Sequence, residues 1–517
     1  MQHAYPTACR ARPGPGYSGP RLRSGARLPP VFAATKTGVV ARFLQSLTLG
    51  FHSSVAIMDA TEAERIAAST RGTAPQPTLG LREAIAVIVG VVIGAGIFKA
   101  PSIVAGLSGS ASAMFGLWIL GGLVSLIGAL CYAELTTSYA HAGGDYHFLR
   151  RAYGRPVAFL FGWARFAVIT TGSIALLGFV FGDYMQLVLP LPGMAGAAGS
   201  TVYAFGVVVV LTLLNLRGIR AGALTQTWLT VLEVGGLLLI AAAATFFAGA
   251  PPPAPAEGAG QASYGMAMVF VLLTYGGWNE AAYISAEVRD GRRNMVRALT
   301  LSILLITVLY LLVTWACWKT LGLAGMAGSE ALVADVMRAT LGPVGETVIS
   351  ILVAVSALTS INATMIVGAR TGYAMGCDWP RLGRLGQWDG QRGSPALAML
   401  VQGIAALVLV GVGAAFGSGF KSMVEFTAPV FWLFFLLAGL SLFVLRRREP
   451  DLPRPFKVPL FPLLPLVFCA TCCWMLWSSL SYVYSQSLGG LNAAWIGVGV
   501  LAAGVLLLPL VRAGPDR

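Results

Sequence analysis

Two apolar segments, Gly90 to Phe98 (GVVIGAGIF) and Phe270 to Trp278 (FVLLTYGGW), each carry glycines in the middle of a stretch long enough to cross a bilayer. Glycine at such a point weakens the helix and frees backbone amides and carbonyls where lipid offers them no partner. Segments of this kind must face a cavity or a ligand. When two of them occupy corresponding positions in two halves of a chain, they mark a binding site near the membrane midplane.

The chain is 56% hydrophobic and 11% charged, with a mean hydropathy of +0.75, which leaves too little polar surface to solubilise a globule of 517 residues. Soluble classes are thereby excluded. The apolar runs predict an all-α integral membrane protein of twelve transmembrane helices, each near the ~20 residues that hydrocarbon requires. Five lie in 83–249 and five in 264–446, separated by a Pro-rich extracellular linker at 250–263. The last two, with a short tail, occupy 447–517, and 59–82 precede the first span on the cytoplasmic side.

Short cytoplasmic loops hold Lys and Arg. Under the twelve-span reading one side carries Arg150, Arg151, Arg155, Arg217, Arg220, Arg289, Arg292, Arg293, Arg297 and most of the later arginines, against only Lys319, Arg338 and Lys421 on the other. Both termini are then cytoplasmic in a multi-pass protein of the cell membrane. The net charge of +14 is accounted for without a nucleic-acid partner.

Residues 1–58 contain seven basic residues and no Asp or Glu, with many Pro and Gly, so this arm cannot bury enough apolar surface to fold. One reading is a transit peptide. The preferred reading is an extension upstream of the working protein, with Met58 as the start, because acidic helical sequence (DATEAERIAAS) begins immediately after it. The cysteines and the four histidines form no metal-ligand spacing, so no metal site and no disulfide framework is expected, and His141 with His147 is expected to sit solvated in a loop. A dinucleotide-binding turn at Gly90, Gly94 and Gly96 is excluded, since that motif needs a preceding strand and an acid about twenty positions on. No Asp or Glu lies between Glu83 and Glu134.

Five motifs occur together: Ile93 to Phe98 (IGAGIF) followed by Pro101, Tyr132 to Thr136 (YAELT), Ala142 to Tyr146 (AGGDY), Tyr275 to Asn279 (YGGWN) and Glu287 to Leu299 (EVRDGRRNMVRAL). In this combination the chain resembles the amino acid, polyamine and organocation transporter superfamily, and within it the bacterial relatives of the L-type amino acid transporters. The resemblance implies a LeuT-type fold, in which two five-helix units form an inverted repeat followed by two C-terminal helices. It also implies an amino acid substrate carried across the membrane by alternating access. A substrate-sensing receptor with the same pocket and no net transport is the alternative. Nothing in the sequence arranges a nucleophile with its base, so an enzyme is not expected.

The physics of the breaks suits such a substrate. Unwinding at Gly94 to Gly96 leaves a half-helix N-terminus whose positive dipole end favours a carboxylate, and unwinding near Leu273 to Gly277 exposes carbonyls that accept from an ammonium. By resemblance, Ile93, Gly94, Ala95, Gly96 and Ile97 take the carboxylate, and Leu273, Thr274, Gly276, Gly277 and Asn279 the amino group and part of the side-chain pocket. Relatives often carry an aromatic gate where Leu273 stands, which moves gating to Tyr275 or Trp278. Many also carry a lysine on the fifth span, where this chain has Glu233 in TVLEVGGL. A carboxylate in a span is functional by default. With Thr359 and Ser360, in a stretch (ALTS) resembling the hydroxyl ligands of sodium-coupled relatives, Glu233 is expected to couple transport to Na+ or H+; a static pair with Arg165 is the structural alternative. No cofactor beyond such an ion is expected. Glu134 is expected at the interface and Lys99 to snorkel outward, while Glu280 is read either as tuning the inner vestibule or as paired with an arginine. Pro190 to Ser200, between the third and fourth spans, holds no cysteine, so no disulfide-linked partner is expected. The side-chain pocket shows no clear acid, which favours a neutral substrate.

Overall fold

The computed structural model describes residues 79 to 512 except 95, 142, 195, 218–222, 250–261, 286–287, 388–394, 416–418 and 486–492. The arm at 1–58, most of 59–82 and most of the linker at 250–263 therefore lie outside the described residues. Every regular element among those described is helical, apart from one isolated bridge between Leu79 and Val288. Among the described residues, nine helices are long and apolar enough to cross a membrane, and the bent pair α1 (Leu81–Val92) and α2 (Gly96–Ser108), angled by 48°, makes a tenth. Length and composition carry the expected twelve only this far. The remaining two candidates are short: α9 (Tyr264–Thr274) stops where its glycines begin, and Trp495–Val511 is a shorter apolar helix.

Local chemistry sets the boundaries. The helix α3 (Ala111–Ser138) opens on Ser110, whose hydroxyl accepts from the Ala113 amide at 3.2 Å. The short α4 (Gly144–Tyr153) has Asp145 in its first turn and Arg150 and Arg151 in its last, matching its dipole. It ends at Gly154 with φ of 88°, and α5 (Arg155–Ala164) follows at once, with Pro156 in its first turn. A single π-turn, Arg165–Ile169, joins α5 to α6 (Thr170–Val188). The helices α7 (Ala197–Leu216) and α8 (Ala223–Phe247) complete the first half.

In the second half, α9 is followed by a 3-10 turn at Trp278–Glu280 and by α10 (Ala281–Ile284). Two long helices come next, α11 (Gly291–Ala327) and α12 (Leu332–Asp378), broken at Gly322 and Gly342 with φ of 66° and 70°. The apolar runs 298–321 and 343–373 end and begin at these breaks. The helices α13 (Ala396–Ala415), α14 (Gly419–Arg448), α15 (Leu463–Ser485) and α16 (Ala493–Arg512) follow.

The two broken units pack on each other through α2 and α9, with α11 behind α1 and α2. Glycines on α3 let it close on α11 and on the turn after α9: a Cβ on Gly122 would stand 2.5 Å from the Thr307 hydroxyl, and one on Gly128 2.7 Å from the Trp278 ring. Small residues of this kind let membrane helices approach closely.

Two charges near span ends are held by protein partners. Glu134 is 1% exposed, because the end of α14 and the segment after it fold over it: Arg446 donates to its two oxygens at 2.7 and 2.5 Å, the Val458 amide donates at 2.7 Å, and Arg454 lies 3.6 Å away. Lys99 ties α2 to α6 through Asp183 at 2.7 Å and also donates to the Glu330 carbonyl.

Candidate functional site

A cavity of about 280 Å3 opens where the two helices break. Gly94 and Gly96 line it from the first break, and Leu273, Thr274, Gly276, Gly277 and Asn279 from the second; Ser360 of α12 lines it too. Its wall also has hydroxyls from Thr170, Ser173, Thr364 and Thr427 and rings from Phe270, Phe420 and Phe431, of which only Phe270 lies in a segment that the sequence pattern singles out. Ile93 and Ile97 are fully buried in the core beside it, and Ala95 lies outside the described residues. Tyr275 and Trp278 stand away from the lining. Tyr275 packs on Trp118 and Tyr310 and donates to the Trp118 carbonyl at 3.1 Å, while Trp278 packs on Tyr132 and Phe435.

At the first break Ile93 leaves helical geometry with ψ of 72°, and at the second Gly277 adopts a left-handed φ of 104° that a residue with a Cβ resists. The Tyr310 hydroxyl on α11, fully buried, reaches both freed backbones: it lies 2.9 Å from the Val92 carbonyl and 3.0 Å from the Thr274 carbonyl. One side chain thus bridges the two breaks. The first turn of α2 presents amides that have no partner within their own helix, next to these carbonyls. Half-helix amides and backbone carbonyls therefore border one chamber, the Val92 carbonyl accepting from both Tyr310 and the Gly94 amide.

Arg165 also lines the cavity, and its partner is Glu280, as the arginine-paired reading of that residue has it, which removes the alternative of a static pair with Glu233. It donates to both oxygens of Glu280 at 2.8 Å and lies 4.7 Å over the Tyr283 ring; Glu233 is not its partner. Glu233, 3% exposed on α8, accepts from the Ser356 hydroxyl at 2.7 Å, and its second oxygen is buried with no hydrogen-bond partner among the described residues. Thr359 donates to the Ser356 carbonyl at 2.9 Å and precedes Ser360 on α12. Depth along the spans suggested the Arg165–Glu233 pair, but the π-turn at Arg165 sets which way the guanidinium faces.

Beneath the cavity, on α4 between two spans, Asp145 is buried among Arg165, Tyr132, Glu280 and Asn279, and its Oδ1 has no hydrogen-bond partner among the described residues. Burial pushes its carboxyl up to about 7, against the pull of the Arg165 guanidinium. His141 and His147, expected to be solvated, are instead half-buried with rings stacked 4.2 Å apart. The raised Asp145 pKa has a sign. The unfolded carboxyl ionises near its ordinary 3.8 and the folded one near 7, so the folded protein holds the extra proton between them and loses stability as pH rises through that window. The thermal midpoint of the purified protein should therefore fall between pH 5 and pH 8, and Asp145→Asn should flatten that fall. An equally steep fall in the Asn variant would exclude Asp145 as its source.

Comparison with known proteins shows the family. The family model described as amino acid permease matches residues 79–505. Among curated relatives, the b(0,+)-type amino acid transporter 1 of Mus musculus is 29% identical over 397 residues, covering 75% of this chain and 80% of the relative. The serine/threonine exchanger SteT of Bacillus subtilis is 26% identical over 409 residues, covering 78% and 91%. The large neutral amino acids transporter small subunit 2 of Homo sapiens is 28% identical over 423 residues, covering 79% and 77%. These relatives are transporters, and the apolar helices make this a multi-pass membrane protein. The match covers both broken segments and the cavity between them, so the chain belongs to the amino acid permease family of the amino acid, polyamine and organocation transporter superfamily.

Proposed function

We propose that the protein carries an amino acid with an uncharged side chain across the cell membrane by alternating access. The observation that carries this reading is the cavity between the two helix breaks, where half-helix amides and freed carbonyls meet. Gly94, Gly96 and the residues beside them would hold the carboxylate, and Leu273, Thr274, Gly276, Gly277 and Asn279 the ammonium and the start of the side chain. The proposal includes twelve spans, with 83–249 and 264–446 as inverted repeats, two further helices in 447–517 and both termini cytoplasmic. It also includes no disulfide-linked partner, since Pro190 to Ser200 contains no cysteine. Two relatives are named for serine and threonine or for large neutral amino acids, which supports an uncharged side chain. Tyr275 and Trp278 would act on gating only by moving with the second break.

Coupling is assigned to Glu233, with Thr359 and Ser360 nearby. A buried carboxylate with one unpartnered oxygen beside hydroxyls suits a proton or a hard monovalent cation. Purified protein in proteoliposomes should accumulate a labelled neutral amino acid; saturable binding with no flux would favour a sensing receptor instead. Glu233→Gln should fold, because it strands no arginine, and should keep exchange while losing the response of net uptake to an imposed Na+ or H+ gradient. Uptake that stays gradient-driven in this variant would remove Glu233 from coupling.

A further inference from the structure

We infer that Arg165 is the charge filter of the cavity: by neutralising Glu280 it keeps cationic side chains out. The inference rests on the proposed amino acid site and names what selects among its substrates. Among the described residues, Arg165 and Glu280 are the only charged ones in the cavity lining, and each neutralises the other through two hydrogen bonds of 2.8 Å. The chamber therefore offers a substrate side chain no net charge. In a water-poor site an ionic side chain enters only if an opposite charge meets it, because desolvating an unpaired ion costs more than neutral contacts return.

The two partners are not equivalent. Glu280 keeps 27% of its side chain exposed, whereas Arg165 keeps 7% and has Asp145 and the Tyr283 ring close by. Removing Arg165 would leave a partly exposed carboxylate at the cavity wall, the counter-charge that a lysine or arginine side chain lacks in the intact protein. Removing the Glu280 charge would have a smaller effect, because Asp145 beside the guanidinium, freed from the repulsion of Glu280, ionises more readily and balances it. The filter is thus one-sided: it is Arg165 that excludes cations, and Glu280 does not equally exclude anions.

The test is competition against a labelled neutral amino acid (serine, threonine or leucine) in proteoliposomes, scored as the ratio of inhibition by lysine to inhibition by an unlabelled neutral amino acid. Wild type should show a low ratio. Arg165→Gln should raise it by at least about tenfold, which corresponds to one well-formed charge-assisted contact. Glu280→Gln should not raise the matching ratio for glutamate, and Arg165→Gln with Glu280→Gln should return the lysine ratio to the wild-type value. Should Arg165→Gln fold poorly, Arg165→Gln with Asp145→Asn presents Glu280 with less neighbouring negative charge and should show the same rise. A folded protein of either kind with an unchanged lysine ratio overturns the inference, as does failure of both to fold, which would make the pair a strut of the bundle. Absence of neutral binding in wild type would overturn the proposed site instead.

Discussion

Gly277→Val should abolish amino acid binding in a protein that still inserts and purifies. Gly277 holds a φ of 104°, and a Cβ there would come 3.1 Å from the Val91 carbonyl and 3.2 Å from its side chain, on the opposite broken helix. The backbone strain alone is about 1–3 kcal/mol. The larger effect is geometric, because a branched side chain between the breaks would push apart the carbonyls that Tyr310 bridges. Gly94→Val should be milder in its backbone cost, since a first carbon there meets only the Ser360 hydroxyl at 3.5 Å. Wild-type affinity in purified Gly277→Val, read by calorimetry or ligand-induced thermal shift, would rule out the broken-helix site.

The largest loss of stability is expected at Glu134. Its carboxylate is buried at 1% exposure and holds Arg446, Arg454 and the Val458 amide together. Glu134→Ala would strand the Arg446 guanidinium and the Val458 amide, while Arg454 keeps the Leu445 and Glu449 carbonyls, and breaking a buried pair in this way costs about 3–5 kcal/mol. Glu134→Gln should lose less, since its amide oxygen still accepts from Val458. Thermal denaturation in detergent reads both, and an unchanged midpoint in the alanine variant would show that α14 and the segment after it hold their place without this carboxylate.

The breaks were legible because glycine weakens a helix wherever it falls, and inside an apolar run the backbone it frees must find a partner that lipid does not supply. They stand at Gly94 to Gly96 and at Gly276 and Gly277. Gly322 and Gly342 set the ends of two long apolar runs for the same reason. What the sequence hid is direction around a helix. By residue count Arg165 and Glu233 fall similarly far into their expected spans, yet the π-turn widens the helix at Arg165 and its guanidinium meets Glu280. Side chains in an unwound segment also leave the 3.6-residue period, so the spacing of Tyr275 and Trp278 gave no hint that they pack into the bundle. The cavity hydroxyls were hidden differently. Thr427 and Ser173 bond to carbonyls one turn back, as such residues do in any membrane helix, and only tertiary packing gathers them. Tyr310 was hidden for the same reason, as one of three aromatics (with Trp315 and Trp318) in an apolar run.

A tyrosine hydroxyl has one hydrogen to give, and Tyr310 stands between two carbonyls that both want it. Whatever shifts one rim of the chamber hands more of that hydrogen to the other, so the breaks behave as a single adjustable part. Reshaping this protein for a different cargo therefore means altering the first, sixth and seventh expected spans together, and changes made on one rim alone should not sum with changes made on the other.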